Sequence, residues 1–240
     1  MVTEYQRHIP CVIPCGGSST RLGTGESKCL AGTIPPIVHV IDFWKSKGIT
    51  NFIFIVGGEH MCETIKVVRQ AVPDAFIVDR GKVVNLAKAI LMVSDAILDR
   101  FILALGDCLN FGDFIAPWDV DFGVGVCLTD LTELRKNYLV SLNNHSVARL
   151  VEKPTKDIGL CGMGTFFLHR RIFDYIHRLR LPDEATSVDL TGALQLAIGS
   201  GEEVYPIYFK GTYINVTYPQ DVKQAEEMNN VSTCRPRCNC

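Results

Sequence analysis

Residues 11–28 read CVIPCGGSSTRLGTGESK: five apolar or small residues, then glycines 16 and 17, then a polar run closed by Lys28. A short apolar run cut off by glycines is a buried strand leading into a loop. The segments beyond the loop decide the class. IVHVIDFWKSKG (37–48) places Ile37, Val40, Ile41 and Trp44 on one helical face, with Gly48 positioned to end the helix. NFIFIVGG (51–58) is a second strand, ETIKVVRQAV (63–72) a helix and AFIVD (75–79) a third strand. NLAKAILMVSDAIL (85–98) reads as a long helix and FILALGD (101–107) as a fourth buried strand. Strand alternating with crossover helix predicts an α/β fold, with a Rossmann-like, mostly parallel mixed sheet flanked by helices.

The second half is less regular. FGVGVCLT, YLVSL, ARLVEKP and GMGTFFLH read as strands, some able to form antiparallel ribbons. RRIFDYIHRL and LTGALQLAIG read as helices, VYPIYFKGTYINV as one or two strands, and PQDVKQAEEMNN as a closing helix. No repeat or low-complexity linker divides the chain. The expectation is one domain over residues 1–230, with a small antiparallel accessory region in its second half and a cysteine-containing tail at 231–240. That tail, CRPRCNC (234–240), has three thiols that zinc could use with a fourth ligand from elsewhere. A frayed terminus is the simpler reading.

The 47% hydrophobic content suffices for one large core, and a formal net charge of −2 gives no basic field for nucleic acid. Phosphate binding must then come from a few placed residues. No stretch reaches the roughly 18 unbroken apolar residues of a membrane span, and the charged first residues do not read as a signal peptide. A cytoplasmic protein with no membrane partner is expected. The other seven of the ten cysteines lie scattered along apolar or loop segments, as reduced packing residues do.

In sheets of this type ligands bind beyond the carboxyl ends of the strands, and four polar segments fall there. In GGSSTRLGTGESK, Gly16 and Gly17 let the backbone approach a ligand, and successive N–H groups can cradle phosphate oxygens. Arg21 offers a bidentate fork and Lys28 a compact charge. The string is not a Walker A loop, and no G-x-G-x-x-G succeeds the first strand. Asp107 comes after an apolar strand and Gly106; it could hold a hard cation or simply cap a turn. Glu152 and Lys153 end a strand before Pro154, where they could meet hydroxyls and a phosphate or be an ordinary solvated pair. Asn215, in a strand-like run, could complete a metal site opposite Asp107 or lie on an exposed face.

Taken in order, these segments resemble the sugar-phosphate nucleotidyltransferases, the glucose-1-phosphate thymidylyl-, uridylyl- and cytidylyltransferases. The family loop G-G-x-[GS]-T-R-[LF] stands here as GGSSTRL. The family's P-K becomes Ser27-Lys28, without the proline. NLAKAI from Asn85, the Gly106-Asp107 pair, the intact Glu152-Lys153-Pro154, the GMGTFFL strand and NVTYPQD stand in family order. The resemblance spans roughly residues 10 to 228 and implies the nucleotide-diphospho-sugar transferase type of fold.

It also implies roles. Gly16, Gly17, Ser18 and Ser19 would form the phosphate-binding turn with Gly106 nearby, and Arg21 and Lys28 would sit on the phosphates of an NTP. Arg80 and Asn85 would contact the base. Glu152, Lys153 and Gly162 would bind the phosphorylated small-molecule substrate, Lys153 at its phosphate. Asp107 and Asn215 would hold Mg²⁺; many relatives have aspartate where Asn215 stands, so one negative charge is missing here. The implied reaction is in-line attack of a sugar 1-phosphate on the α-phosphorus of the NTP, with loss of pyrophosphate. Catalysis would rest on Arg21, Lys28 and Lys153. Relatives are often dimers or tetramers, so a homo-oligomer is a further expectation, whereas a second, regulatory domain is not expected.

Three other readings stand beside this one: a cytidylyltransferase for a non-sugar phosphate or phosphonate, a nucleotide-sugar-dependent glycosyltransferase, and a non-catalytic nucleotide-binding relative. A glycosyltransferase would use a D-x-D metal motif, and Asp119 and Asp121 supply that string. Any two acidic residues produce it easily, and it leaves GGSSTRL and Lys28 unexplained.

Overall fold

The computed structural model describes residues 9–16, 22–23, 25–81, 85–115, 119–155, 159–179 and 190–233. The tail cysteines Cys234, Cys238 and Cys240 lie outside the described residues.

Strand β1 (Cys11–Cys15) pairs in parallel with β2 (Phe52–Val56) and β4 (Arg100–Ala104), and β2 pairs in parallel with β3 (Phe76–Asp79). Helices α1 (Pro36–Ser46), α2 (Met61–Ala71) and α3 (Leu86–Leu91) make the crossovers. Beyond β4 lies β9 (Leu160–His169), antiparallel both to β4 and to β6 (Phe122–Cys127). Next comes β10 (Tyr205–Asn215), which runs parallel to β6 and then antiparallel to β5 (Cys108–Phe114). The order is β3-β2-β1-β4-β9-β6-β10-β5. A hairpin of β7 (Tyr138–Asn143) and β8 (Ser146–Glu152) joins through β7 to β9, and is the expected antiparallel accessory region. The remaining helices are α4 (Leu131–Lys136), α5 (Ile172–Arg178), α6 (Leu190–Gly199) and α7 (Pro219–Thr233).

The mostly parallel α/β sheet is as the alternation predicts, with local differences. The helix read over 85–98 stops at Leu91 and gives way to a 3₁₀ turn at Ser94–Ala96. Ser94 and Asp95 have short polar side chains that compete for backbone hydrogen bonds and favour such a turn. VYPIYFKGTYINV is one strand that changes partner midway. Just past the switch, within the part paired to β5, Gly211 and Gly112 face each other in register, with φ of 151° and 155°. A Cβ on either would lie 2.2 Å from a carbonyl oxygen of the opposite strand, so this crossing admits glycine alone.

The sheet buries both faces. Alternate β1 residues Cys11, Ile13 and Cys15 pack towards α1 with Ile37, Val40, Ile41 and Trp44, while Val12 faces the layer containing Ala87 and Ile90 of α3. Trp44 is fully buried, stacked on Phe114 at 6.0 Å between ring centroids and edge-on to Phe167 at 6.2 Å. Trp44→Ala is expected to cost about 3–5 kcal/mol of stability, read from urea denaturation. A loss below about 1 kcal/mol would contradict this account of the core. A smaller cluster seats α7: Leu22, Ala31, Leu109, Ile214, Val216 and Ala225. Among the described residues no helix is long and apolar enough to cross a membrane.

Candidate active site

The carboxyl ends of β1, β2, β3 and β4 deliver Gly16, Gly57, Arg80 and Gly106 to one edge of the sheet. Arg80 is buried, and its backbone N–H donates to the Val56 carbonyl at 2.8 Å. Its side chain crosses the exits of β1 and β2: a Cβ on Gly16 or on Gly57 would lie 2.4 Å from it. Gly16 is therefore required by the passage of the guanidinium, whatever else it does for a phosphate. Gly106 donates its N–H to the Pro14 carbonyl at 3.2 Å, and a Cβ there would meet the sulfurs of Cys15 and Cys29 at 3.2 Å. Asn85 is the N-cap of α3, its Oδ1 accepting the Lys88 N–H at 3.2 Å. Gly17, Ser18, Ser19 and Arg21 lie outside the described residues.

Asp107 lies just beyond β4, and its Oδ2 is 3.9 Å from Lys28 Nζ. Burial pushes the Asp107 carboxyl above the ordinary carboxylate range, and the Lys28 ammonium works against that shift. Asn215, at the end of β10, is the register partner of Cys108, and the Val216 N–H donates to the Asp107 carbonyl at 2.9 Å. The two residues that the resemblance assigns to Mg²⁺ thus stand side by side, Asp107 in the turn before β5 and Asn215 at the end of β10, the strand paired with β5. Among the described residues no group of three or more His, Cys, Asp or Glu could hold an ion by itself. Mg²⁺ commonly takes one or two carboxylates and completes its shell with substrate phosphates and water. A partly buried carboxylate, whose pKa burial raises despite the nearby Lys28 ammonium, fits that demand. Asn215 Oδ1 accepts one hydrogen bond, from Thr217 Oγ1 at 3.2 Å, and an amide oxygen can accept a second.

Glu152, Lys153 and Asn215 line one cavity of about 170 Å³, beside Leu105. Thr191 Oγ1 donates to Glu152 Oε1 at 2.9 Å and turns that carboxylate along the wall. Lys153 has φ of +44°, a left-handed conformation that a residue with a Cβ, here also preceding a proline, adopts at a cost. Gly162 lies under Tyr138 instead of lining the cavity; a Cβ there would be 1.9 Å from the Tyr138 ring. Gly164, two residues on, does line it.

Sequence reasoning missed part of this wall: Lys136, Asn137, Tyr138 and Thr191. Lys136 is almost wholly buried, against Glu133 Oε2 at 2.5 Å and Asp221 Oδ1 at 3.0 Å. Burial alone would lower the Lys136 pKa, but its bonds to Glu133 and Asp221 carry it above the usual lysine range. Burial likewise raises the Glu133 carboxyl against the pull of Lys136.

The D-x-D string lies at the other end of the sheet. Arg100 opens β4, at the end opposite Asp107; its Nη2 is 2.7 Å from Asp121 Oδ1, and it also pairs with Asp119. Asp121 is tied on its other side to Arg171 at 2.9 Å. Both carboxylates are engaged by arginines, away from the cavity.

No family model matches the chain. In sequence it is 26% identical over 246 residues to a UTP–glucose-1-phosphate uridylyltransferase of Haloferax volcanii, covering 91% of this chain and 96% of that protein. A structure from Bacillus anthracis, assigned as a glucose-1-phosphate thymidylyltransferase, superposes with a TM-score of 0.78 at 19% identity, covering 92% of this chain and 94% of that one. The inositol-1-phosphate CTP transferase of T. maritima superposes with a TM-score of 0.77 at 16% identity, covering 95% and 98%. The chain thus has the fold of the sugar-phosphate nucleotidyltransferases, the family its motifs resemble, and a sequence relative among those enzymes.

Proposed function

We propose that this chain is a nucleotidyltransferase that transfers the nucleotidyl group of an NTP to a sugar 1-phosphate and releases pyrophosphate. The observation that carries the reading is spatial: Glu152, Lys153 and Asn215 line one cavity, and the strand bearing Asn215 adjoins the Lys28–Asp107 pair. In this reading the NTP lies across the exits of β1 to β4, with Lys28 and Arg21 on its phosphates. The acceptor lies in the cavity, with Lys153 on its phosphate and Glu152 on its hydroxyls.

An oxygen of the acceptor phosphate attacks the α-phosphorus, a new P–O bond forms in line with the one that breaks, and that bonding pair leaves with pyrophosphate. The acceptor oxygen is already ionised near neutral pH, so no residue has to remove a proton. The protein's task is orientation and neutralisation of crowded negative charge. Mg²⁺, held by Asp107 and the NTP phosphates with Asn215 beside them, would add positive charge where the phosphates meet.

The test is a grid of five NTPs against sugar 1-phosphates, polyol phosphates and phosphonates with added Mg²⁺, read by pyrophosphate release. UTP with glucose 1-phosphate heads the grid because the Haloferax volcanii relative bears those names. Turnover with any pair supports nucleotidyl transfer and names the base and the acceptor. Silence across the grid from a folded protein would overturn the proposal in favour of a non-catalytic nucleotide-binding relative.

Gly162→Ala makes the acceptor cavity testable without touching a charge. The added methyl must push the Tyr138 ring off its place, where its hydroxyl donates to the Met163 carbonyl at 3.0 Å and the ring stacks on Phe166. A displaced wall is expected to lower kcat/KM for the acceptor by about a hundredfold, with KM for the NTP unchanged. An equal rise in both KM values would place Tyr138 outside the acceptor site.

A further inference from the structure

Asn137 closes α4 as its C-cap and is buried. Its hydrogen bonds reach both sides of the acceptor cavity. The backbone carbonyl accepts the Lys153 N–H at 2.8 Å, on the residue held at φ +44°. The side-chain oxygen lies 2.9 Å from Asn215 Nδ2, which donates to it, and 2.9 Å from the Tyr213 hydroxyl. The side-chain nitrogen donates back to the Glu133 carbonyl at 2.8 Å.

An amide is the side chain this place requires. Aspartate would set an acceptor against the Glu133 carbonyl. A rotated asparagine would set its nitrogen against Asn215 Nδ2. With its side-chain oxygen accepting from one side and its nitrogen donating to the other, Asn137 acts through its neighbours.

Asn215 is gripped at its backbone as well. Lys136 Nζ donates to the Asn215 carbonyl at 3.2 Å and to Asp221 Oδ1 at 3.0 Å, and Glu133 Oε1 accepts the Asn215 N–H at 2.8 Å. Three elements therefore converge: the end of α4, the end of β10 and the turn after β8. Asn137 is bonded to the last two at once. An aspartate at 215 would lose the donor that Asn137 Oδ1 receives, which gives a local reason for the amide at that position.

We propose that Asn137 is a positioning residue, which sets the left-handed backbone of Lys153 and the amide of Asn215 relative to one another and so fixes where the acceptor phosphate is held. The inference rests on the reading of the cavity as the acceptor site. Acceptor affinity is measured by calorimetry with glucose 1-phosphate, and with inorganic phosphate as a second probe, on the metal-free wild-type protein and the Asn137→Ala, Lys153→Ala and double variants.

Each single substitution is expected to weaken binding about tenfold, and the double variant to bind within threefold of Lys153→Ala, because residues acting as a unit are not additive. A purely structural role for Asn137 would give additive losses, about a hundredfold in the double variant, and would overturn the proposal. So would an Asn137→Ala protein that binds like the wild type. If Asn137→Ala does not melt cooperatively, Asn137→Ser, whose hydroxyl falls short of Asn215, takes its place in the same cycle. Failure of the wild type to bind either probe, or indifference to Lys153→Ala, would remove the acceptor-site reading itself. A loss confined to Lys153→Ala would remove this inference alone.

Discussion

Asp107→Asn is expected to keep the melting temperature of the parent and to lose at least about a hundredfold in turnover, some 3 kcal/mol of barrier. The amide keeps the shape of the side chain and removes its charge. Burial already holds the Asp107 carboxyl above the ordinary range. The folded protein therefore binds that proton more tightly than the unfolded chain does, and above the ordinary carboxylate range the ionised group counts against stability. A neutral amide removes that cost. The partner, Lys28 at 3.9 Å, is partly exposed, so losing the pair costs little in return. Turnover is another matter, because in the proposed reading this carboxylate would organise a cation and the Lys28 ammonium around the NTP. Lys28→Ala should give a comparable loss, and the two substitutions together much less than the product of the separate losses. Turnover within threefold of the parent would remove Asp107 from the chemistry. A fall in melting temperature beyond about 5 °C would mark it as structural.

The half of the fold that periodicity describes is readable from the chain, and the half that depends on distant partners is not. CVIPC, FIFIV and FILA are continuous apolar runs because both faces of a parallel sheet are covered. β5, CLNFGDF, has two polar residues and a glycine; it is a strand because β10 pairs along its whole length, and no local signal carries that. α4 did leave a signal. Asp130 Oδ1 accepts the Glu133 N–H at 2.9 Å, and an acidic residue with glutamate three places later is a helix-start pattern. Nothing local in LTELRK marks Lys136 as buried, since its burial depends on Asp221, 85 residues further along.

The candidate site divides in the same way. Motif order puts Lys28 and Asp107 near one another, and Glu152, Lys153 and Asn215 into one cavity, because short motifs sit where strands end and the fold gathers those ends. Motifs do not encode what holds them in place. Thr191 orients Glu152 from the start of α6, and Tyr138 needs the absence of a side chain at Gly162. Neither dependence can be read from composition or spacing. The family resemblance gives Arg80 a base contact; the structure adds that Gly16 and Gly57 are open because its side chain lies over both.

Lys153 offers the sharpest separation of stability from function, because the substitutions to alanine and to glycine remove the same ammonium and differ in the backbone they permit. At φ +44° any residue with a Cβ is unfavourable by about 1–2 kcal/mol, and the adjacent Pro154 narrows the choices further. The fold accepts that cost at the end of β8, with the Lys153 N–H bonded to Asn137. Both variants are expected to lower kcat/KM for the acceptor by about a hundredfold, only part of which appears as weaker ground-state binding. They should part company in urea. Lys153→Ala retains the strained geometry, whereas Lys153→Gly adopts it freely and should be the more stable by about 1 kcal/mol, after allowing for the entropy glycine loses on folding. A glycine variant no more stable than the alanine variant would mean that the left-handed turn is not strained. A glycine variant that kept its kcat/KM would mean that the ammonium does not hold the acceptor phosphate. The two outcomes are independent, so one pair of proteins tests the conformation and the chemistry separately.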